Sequence, residues 1–188
     1  MKVTLKNTVK KLFVSFGGTY VLRRLNQTPR VLFWHGVDDI ENPKVEAESF
    51  TIKDFKKQIE YLQKNYEIIC ISDFYNRFKN KNFTNKEIVL TFDDGYLNNL
   101  TVVAPYLNSK NLPFTVFVST EHIETGELFP TSIARLILLG ADLRTITIPQ
   151  LNIFDFDISE FNNKQYLYEK VRKHLKNEPL DKVRKIIN

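Results

Sequence analysis

Two adjacent carboxylates at the end of an apolar run carry the strongest chemical signal in this sequence. Asp93 and Asp94 directly follow the run IVLTF at 88–92 and precede Gly95. Because both faces of this run are apolar, the pattern predicts a buried strand of a parallel sheet. Neighbouring carboxylates repel each other, so a buried strand end that holds both favours a cation or a shared proton. The pair therefore predicts metal binding or acid–base chemistry.

The same three residues have a purely structural interpretation. Asp-Asp-Gly is also typical of turns, since Gly95 permits a sharp change of backbone direction. Asp94 could then cap the helix that follows. On this interpretation the motif has no function, and the elements around it must decide between the two.

Alternating strands and helices predict an α/β fold with parallel strands. Four strands are expected to begin near residues 30, 67, 87 and 113, separated by helices at about 51–66, 72–78 and 96–109. His35 ends the first strand, and a loop carrying Asp38 is predicted to follow. Since the carboxyl ends of parallel strands share one edge of a sheet, His35, Asp93, Asp94 and Ser119 are expected at the same edge.

Composition limits the classes of function. The chain has 188 residues with 43% hydrophobic residues, a net charge of +5 and one cysteine, Cys70. These values predict one globular domain without an internal disulfide, and the apolar run around Cys70 predicts a core position. No nucleic-acid-binding motif is present, so no nucleic-acid partner is expected. The sequence has no apolar run of the roughly 20 residues that span a membrane and no signal-peptide pattern, which predicts a cytoplasmic or membrane-peripheral protein.

Residues 1–28 predict a basic amphipathic helical segment. Apolar residues recur at helical spacing and lysines fall largely elsewhere, the apolar positions being Leu5, Val9, Leu12, Phe13 and Phe16. Such a helix suits peripheral contact with an anionic membrane. The alternative is a helix packed on the domain with its lysines in solvent.

Three segments in order resemble the polysaccharide deacetylase family, the NodB-homology or carbohydrate esterase family 4 group. They are VLFWHGV at 31–37, IVLTFDDGY at 88–96 and PFTVFVST at 113–120, and the resemblance spans about 30–139. It implies a distorted (β/α) barrel and a metal-dependent hydrolase that removes acetyl groups from N- or O-acetylated sugars of a cell-envelope polysaccharide. Residues 29–188 would be the N-terminal part of this partial barrel, with a hairpin-plus-helices insert at about 143–188.

The resemblance also implies roles for particular residues. Asp93 would be the general base that takes a proton from the attacking water, and Asp94 a ligand of a divalent metal that polarises the acetyl carbonyl. Zinc suits a carboxylate with two imidazoles. His35, Asp38 and Tyr96 would line the substrate cleft or support the ligands.

One departure from the family pattern is large. The family completes its metal site with two histidines four residues apart, whereas this sequence has only His35, His122 and His174, at no such spacing. His122 follows the fourth strand and could replace a ligand, or it is an ordinary loop residue. His174 lies in a basic helix whose charges are expected to face solvent. The predicted metal site is therefore incomplete in this chain.

Three hypotheses about function remain. In the first, the chain is a polysaccharide deacetylase, a hydrolase of carbon–nitrogen bonds. In the second, it is a catalytically inactive deacetylase-like fragment or a carbohydrate-binding module. In the third, it is an unrelated α/β protein with an Asp-Asp-Gly turn. The sequence ends at Asn188, before the histidine pair would appear, which predicts the N-terminal half of a deacetylase. Four strands cannot close a barrel of about eight, so open sheet edges predict self-association and poor activity.

Overall fold

The computed structural model describes residues 29–39, 49–84, 86–178 and residue 183. The predicted N-terminal segment 1–28 lies outside the described residues, as does the end of the predicted insert after residue 178, apart from residue 183. The described chain has a mixed α/β architecture. Its strands are β1 (Arg30–Trp34), β2 (Gly36–Asp38), β3 (Ser49–Thr51), β4 (Glu67–Ile68), β5 (Glu87–Phe92), β6 (Thr115–Val116), β7 (Thr145–Ile148) and β8 (Ile153–Asp157).

Six α-helices are present in the described ranges. They are α1 (Ile52–Asn65), α2 (Ile71–Lys79), α3 (Ala104–Ser109), α4 (Thr120–Thr125), α5 (Pro130–Arg135) and α6 (Phe161–Asn177). Two π-helical turns lie at Asn99–Val103 and Leu136–Gly140, and a 3-10 turn lies at Pro149–Leu151. Within the described part of the chain, no helix is both long and apolar enough to cross a membrane.

The central sheet is built around β5, all six residues of which are buried. β1 pairs in parallel along one edge of β5, from Arg30 opposite Ile88 to Trp34 opposite Phe92. On the other edge, β4 pairs with the start of β5 and β6 pairs with its end, both in parallel. The four predicted parallel strands are thus present, and the described strands do not close into a barrel.

The segment after His35 differs from the prediction. A loop was expected to carry Asp38, but Gly36–Asp38 forms β2 and pairs in parallel with β3. The partner strand lies eleven residues further along the chain, so nothing in the local sequence indicated it. The pairing fixes the backbone at Asp38, whose side chain is exposed.

Helix α1 covers one face of the sheet. Thr51 caps it by accepting a hydrogen bond from the Asp54 N–H at 3.0 Å, where the sequence predicted the helix to begin. Phe55, Ile59 and Leu62 form its buried face. Phe55 packs edge-on to Trp34 and Phe92, whose rings stack at 5.5 Å, so the strand ends that carry His35 and Asp93 rest on a rigid aromatic core.

Two predicted helices differ in detail. The helix expected at 96–109 contains a π-helical turn at Asn99–Val103, and Pro105 then lies in the first turn of α3, where a missing N–H costs little. Helix α2 begins at Ile71 rather than after Ser72, because Cys70 is its cap. Cys70 is therefore partly exposed and accepts from the Asp73 N–H at 3.4 Å, instead of lying in the core.

The C-terminal elements form a second apolar cluster. β7 and β8 pair as an antiparallel hairpin, and α6 packs on the segment that contains α5. The buried members of this cluster include Ala134, Leu138, Ile153, Ile158, Leu167, Val171 and Leu175. Arg135, only 8% exposed, reaches into it and donates to the Tyr168 hydroxyl at 2.9 Å. One polar partner of this buried cation is thus a hydroxyl within an otherwise apolar cluster.

Candidate functional site

The adjacent ends of β1 and β5 bring His35 and Asp94 together. His35 Nε2 lies 3.9 Å from Asp94 Oδ2, and about a third of each side chain is exposed. The backbone N–H of Asp93 donates to the Trp34 carbonyl at 2.8 Å, which extends the pairing of β1 and β5 by one residue. The sheet edge therefore positions His35, Asp93 and Asp94 side by side, as the strand pattern predicted.

Asp94 and Gly95 form a left-handed turn. Their φ angles are 72° and 74°, a region that glycine enters freely and aspartate tolerates better than most residues. Helical backbone begins only at Leu97, so Asp94 does not directly precede it. Asp94 is therefore not at the N-cap position of this helix, and its carboxylate lies 3.9 Å from His35 Nε2.

The carboxylate of Asp93 is in a different environment from that of Asp94. Asp93 is partly buried, and no hydrogen bond or ion pair to its side chain arises from the described residues. No described residue therefore competes with a water molecule for this carboxylate. A general base needs its carboxylate within hydrogen-bond reach of the water that it deprotonates.

The end of β6 adds a second polar group next to the turn. The Ser119 N–H contacts the Asp94 carbonyl at 3.4 Å, which places Ser119 at the predicted edge. The Ser119 hydroxyl lies 2.8 Å from His122 Nδ1, and the His122 ring stacks on Phe129 at 3.9 Å. His122 is thus held on two sides, with Nδ1 engaged by serine rather than directed at an acidic partner.

Tyr96 and Asp38 lie on the margins of the same edge. The Tyr96 ring is 6.1 Å from the ring of Phe129. Asn98 Nδ2 donates weakly to Asp38 Oδ2 at 3.4 Å, while the buried Asn98 Oδ1 has no partner in the described chain. Asp38 therefore connects β2 to the segment that follows the aspartate turn.

Sequence reasoning missed Phe129 and Asn98. Phe129 lies thirteen residues beyond Val116, the end of β6, and its contact with His122 depends on the fold of the intervening segment. Asn98 belongs to a predicted helix, where an asparagine gives no special signal. Its position two residues after the TFDDGY segment was the one available indication.

The described residues do not fit a three-ligand metal centre. No group of three or more histidine, cysteine, aspartate or glutamate side chains comes together within the described ranges in a way that could hold a metal ion. A catalytic zinc site uses three protein ligands and an open position for water. Asp94 and His35 make one close pair, and His122 does not complete this pair to a group of three possible ligands.

Sequence comparison identifies the family. The family described as polysaccharide deacetylase matches residues 80–176, just over half of the chain. The chain belongs to the polysaccharide deacetylase family. The matched residues of this family member include Asp93, Asp94, Ser119 and His122, whereas His35 lies before them. A comparison with curated proteins finds no match for this deacetylase-family chain.

Two solved structures resemble parts of this polysaccharide deacetylase family member. One is a de-N-acetylase from Aggregatibacter actinomycetemcomitans, 24% identical over 53% of this chain and 41% of that one, with a TM-score of 0.46. The other, from Bacillus anthracis, is assigned as a polysaccharide deacetylase and is 20% identical over 75% of this chain and 46% of its own, with a TM-score of 0.39. The present chain spans less than half the length of either structure.

Proposed function

We propose that this protein takes part in the hydrolysis of acetyl groups from N- or O-acetylated sugars of a cell-envelope polysaccharide. The observation that carries the proposal is the juxtaposition of Asp93, Asp94 and His35 at one sheet edge of a polysaccharide deacetylase family member. Hydrolysis of an N-acetyl group would make it a hydrolase of carbon–nitrogen bonds. We further propose that the parallel sheet is part of a distorted (β/α) barrel.

The three side chains have distinct proposed roles. Asp93, whose carboxylate has no protein donor among the described residues, would accept the proton of the attacking water. His35 would give a proton to the leaving amine or alcohol, because it is the imidazole that lies beside the aspartate turn. Asp94 would hold the His35 ring in position across the 3.9 Å contact. Tyr96 and Asp38 would line the cleft that receives the sugar.

The proposal includes a divalent cation, with zinc as the first choice, but assigns it only one ligand. Asp94 would be one of its ligands by resemblance to the family. The described residues supply no group of three ligands, and His122 has its Nδ1 occupied by Ser119. No catalytic step is therefore assigned to a metal held by this chain alone, and its turnover is expected to be slow.

The lack of three metal ligands among the described residues favours a second candidate function. A chain whose described residues keep the cleft but include no three-ligand group suits a catalytically inactive deacetylase-like module that binds carbohydrate. The two candidates differ in a single measurable property, which is the release of acetate from a bound sugar.

The test combines sugar binding with acetate release. The parent chain is incubated with N-acetylated and O-acetylated oligosaccharides, and both the binding isotherm and the acetate produced are measured. We expect binding together with slow release above the uncatalysed rate, and a loss of about 100-fold or more in Asp93→Asn, the usual scale of general-base catalysis. Asp142→Asn is the matched control, since Asp142 is an exposed loop residue outside the site.

Each result separates the candidates. Release that Asp93→Asn abolishes and Asp142→Asn preserves supports the hydrolase. Sugar binding without any release in the parent supports the binding module. A parent chain that neither binds nor deacetylates acetylated sugars would refute both proposals.

A further inference from the structure

Helix α6 carries a basic surface that the proposed active site does not use. This lysine groove is an open depression of about 700 Å³, and the residues that line it all belong to α6: Tyr166, Glu169, Lys170, Arg172, Lys173 and Lys176, with Asn177 at its end. A second cavity of about 430 Å³ shares Lys170 and Lys173 and reaches the turn at Gln150–Asn152. The two lysines thus lie where both cavities meet.

The described acidic residues leave most of the positive charge of the lysine groove uncompensated. Glu169 pairs with Arg172 at 2.6 Å, so the one carboxylate that lines the groove is already engaged. Within the described ranges no acidic side chain pairs with Lys170, Lys173 or Lys176, which are all exposed. Like charges three residues apart on a helix repel each other, and a bound anion would remove that repulsion.

The remaining groups around these cavities suit a sugar. Tyr166 is 62% exposed and stacks on Phe156 at 6.1 Å, which fixes an aromatic surface beside the lysines. Asn152, an exposed residue at the second cavity, can exchange amide hydrogen bonds with hydroxyl groups. An amphipathic membrane-binding helix would also present a broad apolar face to the bilayer, whereas the lining here is mainly charged and polar, with Tyr166 and Leu151 as its large apolar side chains.

We propose that the lysine groove binds an acidic polysaccharide, with carboxylate or phosphate groups on the lysines and a sugar ring on Tyr166. The site lies on α6 and includes none of Asp93, Asp94 or His35. It deepens the proposed function by assigning the polymer substrate a negative charge. Binding at the groove requires no turnover, so the two proposals can fail separately.

The experiment measures binding of labelled oligogalacturonate to the complete chain by fluorescence anisotropy at low and physiological salt. Three ligands serve as comparisons: its methyl ester, which keeps the sugar without the charge; poly-glutamate, which keeps the charge without the sugar; and vesicles that contain phosphatidylserine. We expect oligogalacturonate to bind most tightly, and its affinity to fall as salt rises.

Matched variants locate the binding surface. Lys170→Gln/Lys173→Gln/Lys176→Gln should weaken oligogalacturonate binding about tenfold, at roughly two- to threefold for each exposed charge. The control Lys53→Gln/Lys64→Gln/Lys79→Gln removes three exposed lysines of α1 and α2 and should change it less than twofold. Tyr166→Ala should weaken oligogalacturonate binding about fivefold and leave poly-glutamate unaffected.

Several results would overturn the proposal. These are an equal loss of affinity in the control triple variant, binding of the methyl ester as tight as that of the acid, or vesicle binding tighter than oligogalacturonate binding. Asp93→Asn should keep full oligogalacturonate affinity. If the groove binds but no acetate is released, the proposed hydrolysis fails while this inference stands; if acetate is released without groove binding, the reverse holds.

Discussion

Replacing Glu87 with glutamine probes how the start of β5, the strand that leads to Asp93, is held in place. Glu87 lies directly opposite Glu67 in the β4–β5 register, and two carboxylates in such positions repel each other. Arg77 resolves this repulsion by donating to both, at 2.9 Å to Glu87 Oε1 and at 2.6 Å to Glu67 Oε1. Glu87 is fully buried, whereas the Glu67 side chain is 47% exposed.

The pKa of Glu87 provides the magnitude. Burial raises the pKa of this carboxyl, but hydrogen bonds from Thr84, from backbone N–H groups and from Arg77 outweigh it and lower the pKa from 4.5 to about 2. At 1.36 kcal/mol for each unit, this difference corresponds to about 3 kcal/mol of stability at neutral pH. Because the pKa is lower in the folded state, the contribution is complete above the unfolded-state pKa and disappears as pH falls towards 2.

Urea denaturation at pH 7 and pH 3 checks this reasoning. Glu87→Gln should lower the free energy of unfolding by about 3 kcal/mol at pH 7 and by about 1 kcal/mol at pH 3, where much of the parent's advantage is already lost. Glu67→Gln removes the exposed partner of the same guanidinium and should cost less than about 1 kcal/mol. Equal losses in the two variants, or a Glu87 effect that grows towards pH 3, would refute the assignment.

Three further predictions follow from the site and the sheet. Gly95→Ala should destabilise the protein by about 1 kcal/mol more than Gly126→Ala. Both glycines have left-handed φ, but a Cβ at Gly95 would lie 3.0 Å from Val118 Cγ1, whereas a Cβ at Gly126 would meet no atom within 4 Å. Equal melting temperatures of the two variants would contradict this. Val31 and Phe33 on β1 are 49% and 64% exposed. Changing both to lysine should reduce the self-association that is expected from open sheet edges, and light scattering measures this as a lower mass. An unchanged mass would show that β1 does not mediate self-association. Added zinc should leave the melting temperature unchanged, because the described residues form no three-ligand group, and a rise of several degrees would reveal ligands not recognised here.

The amino-acid sequence alone determined the features that depend on neighbouring residues. The apolar run before Asp93 predicted a buried strand, and all of β5 is buried. A helix was predicted from about residue 51, and Thr51 caps α1 through a partner that lies within one helical turn. The order of strands and helices predicted parallel pairing, and parallel pairing placed His35 beside Asp94.

The tertiary structure decided the contacts between distant segments. The pairing of β2 with β3, the hydrogen bond of Trp34 to Gln58 and the burial of Glu87 against Arg77 all depend on which surfaces pack together. A glutamate at the start of a strand is ordinarily expected at the surface, and only the packed fold shows that it is enclosed and paired. Likewise, Ser119 and His122 lie close in sequence, but the ring of Phe129 that holds His122 arrives through the fold of a loop. Local patterns specify the elements because caps and periodicity act over a few residues, whereas the site's contacts depend on how those elements pack.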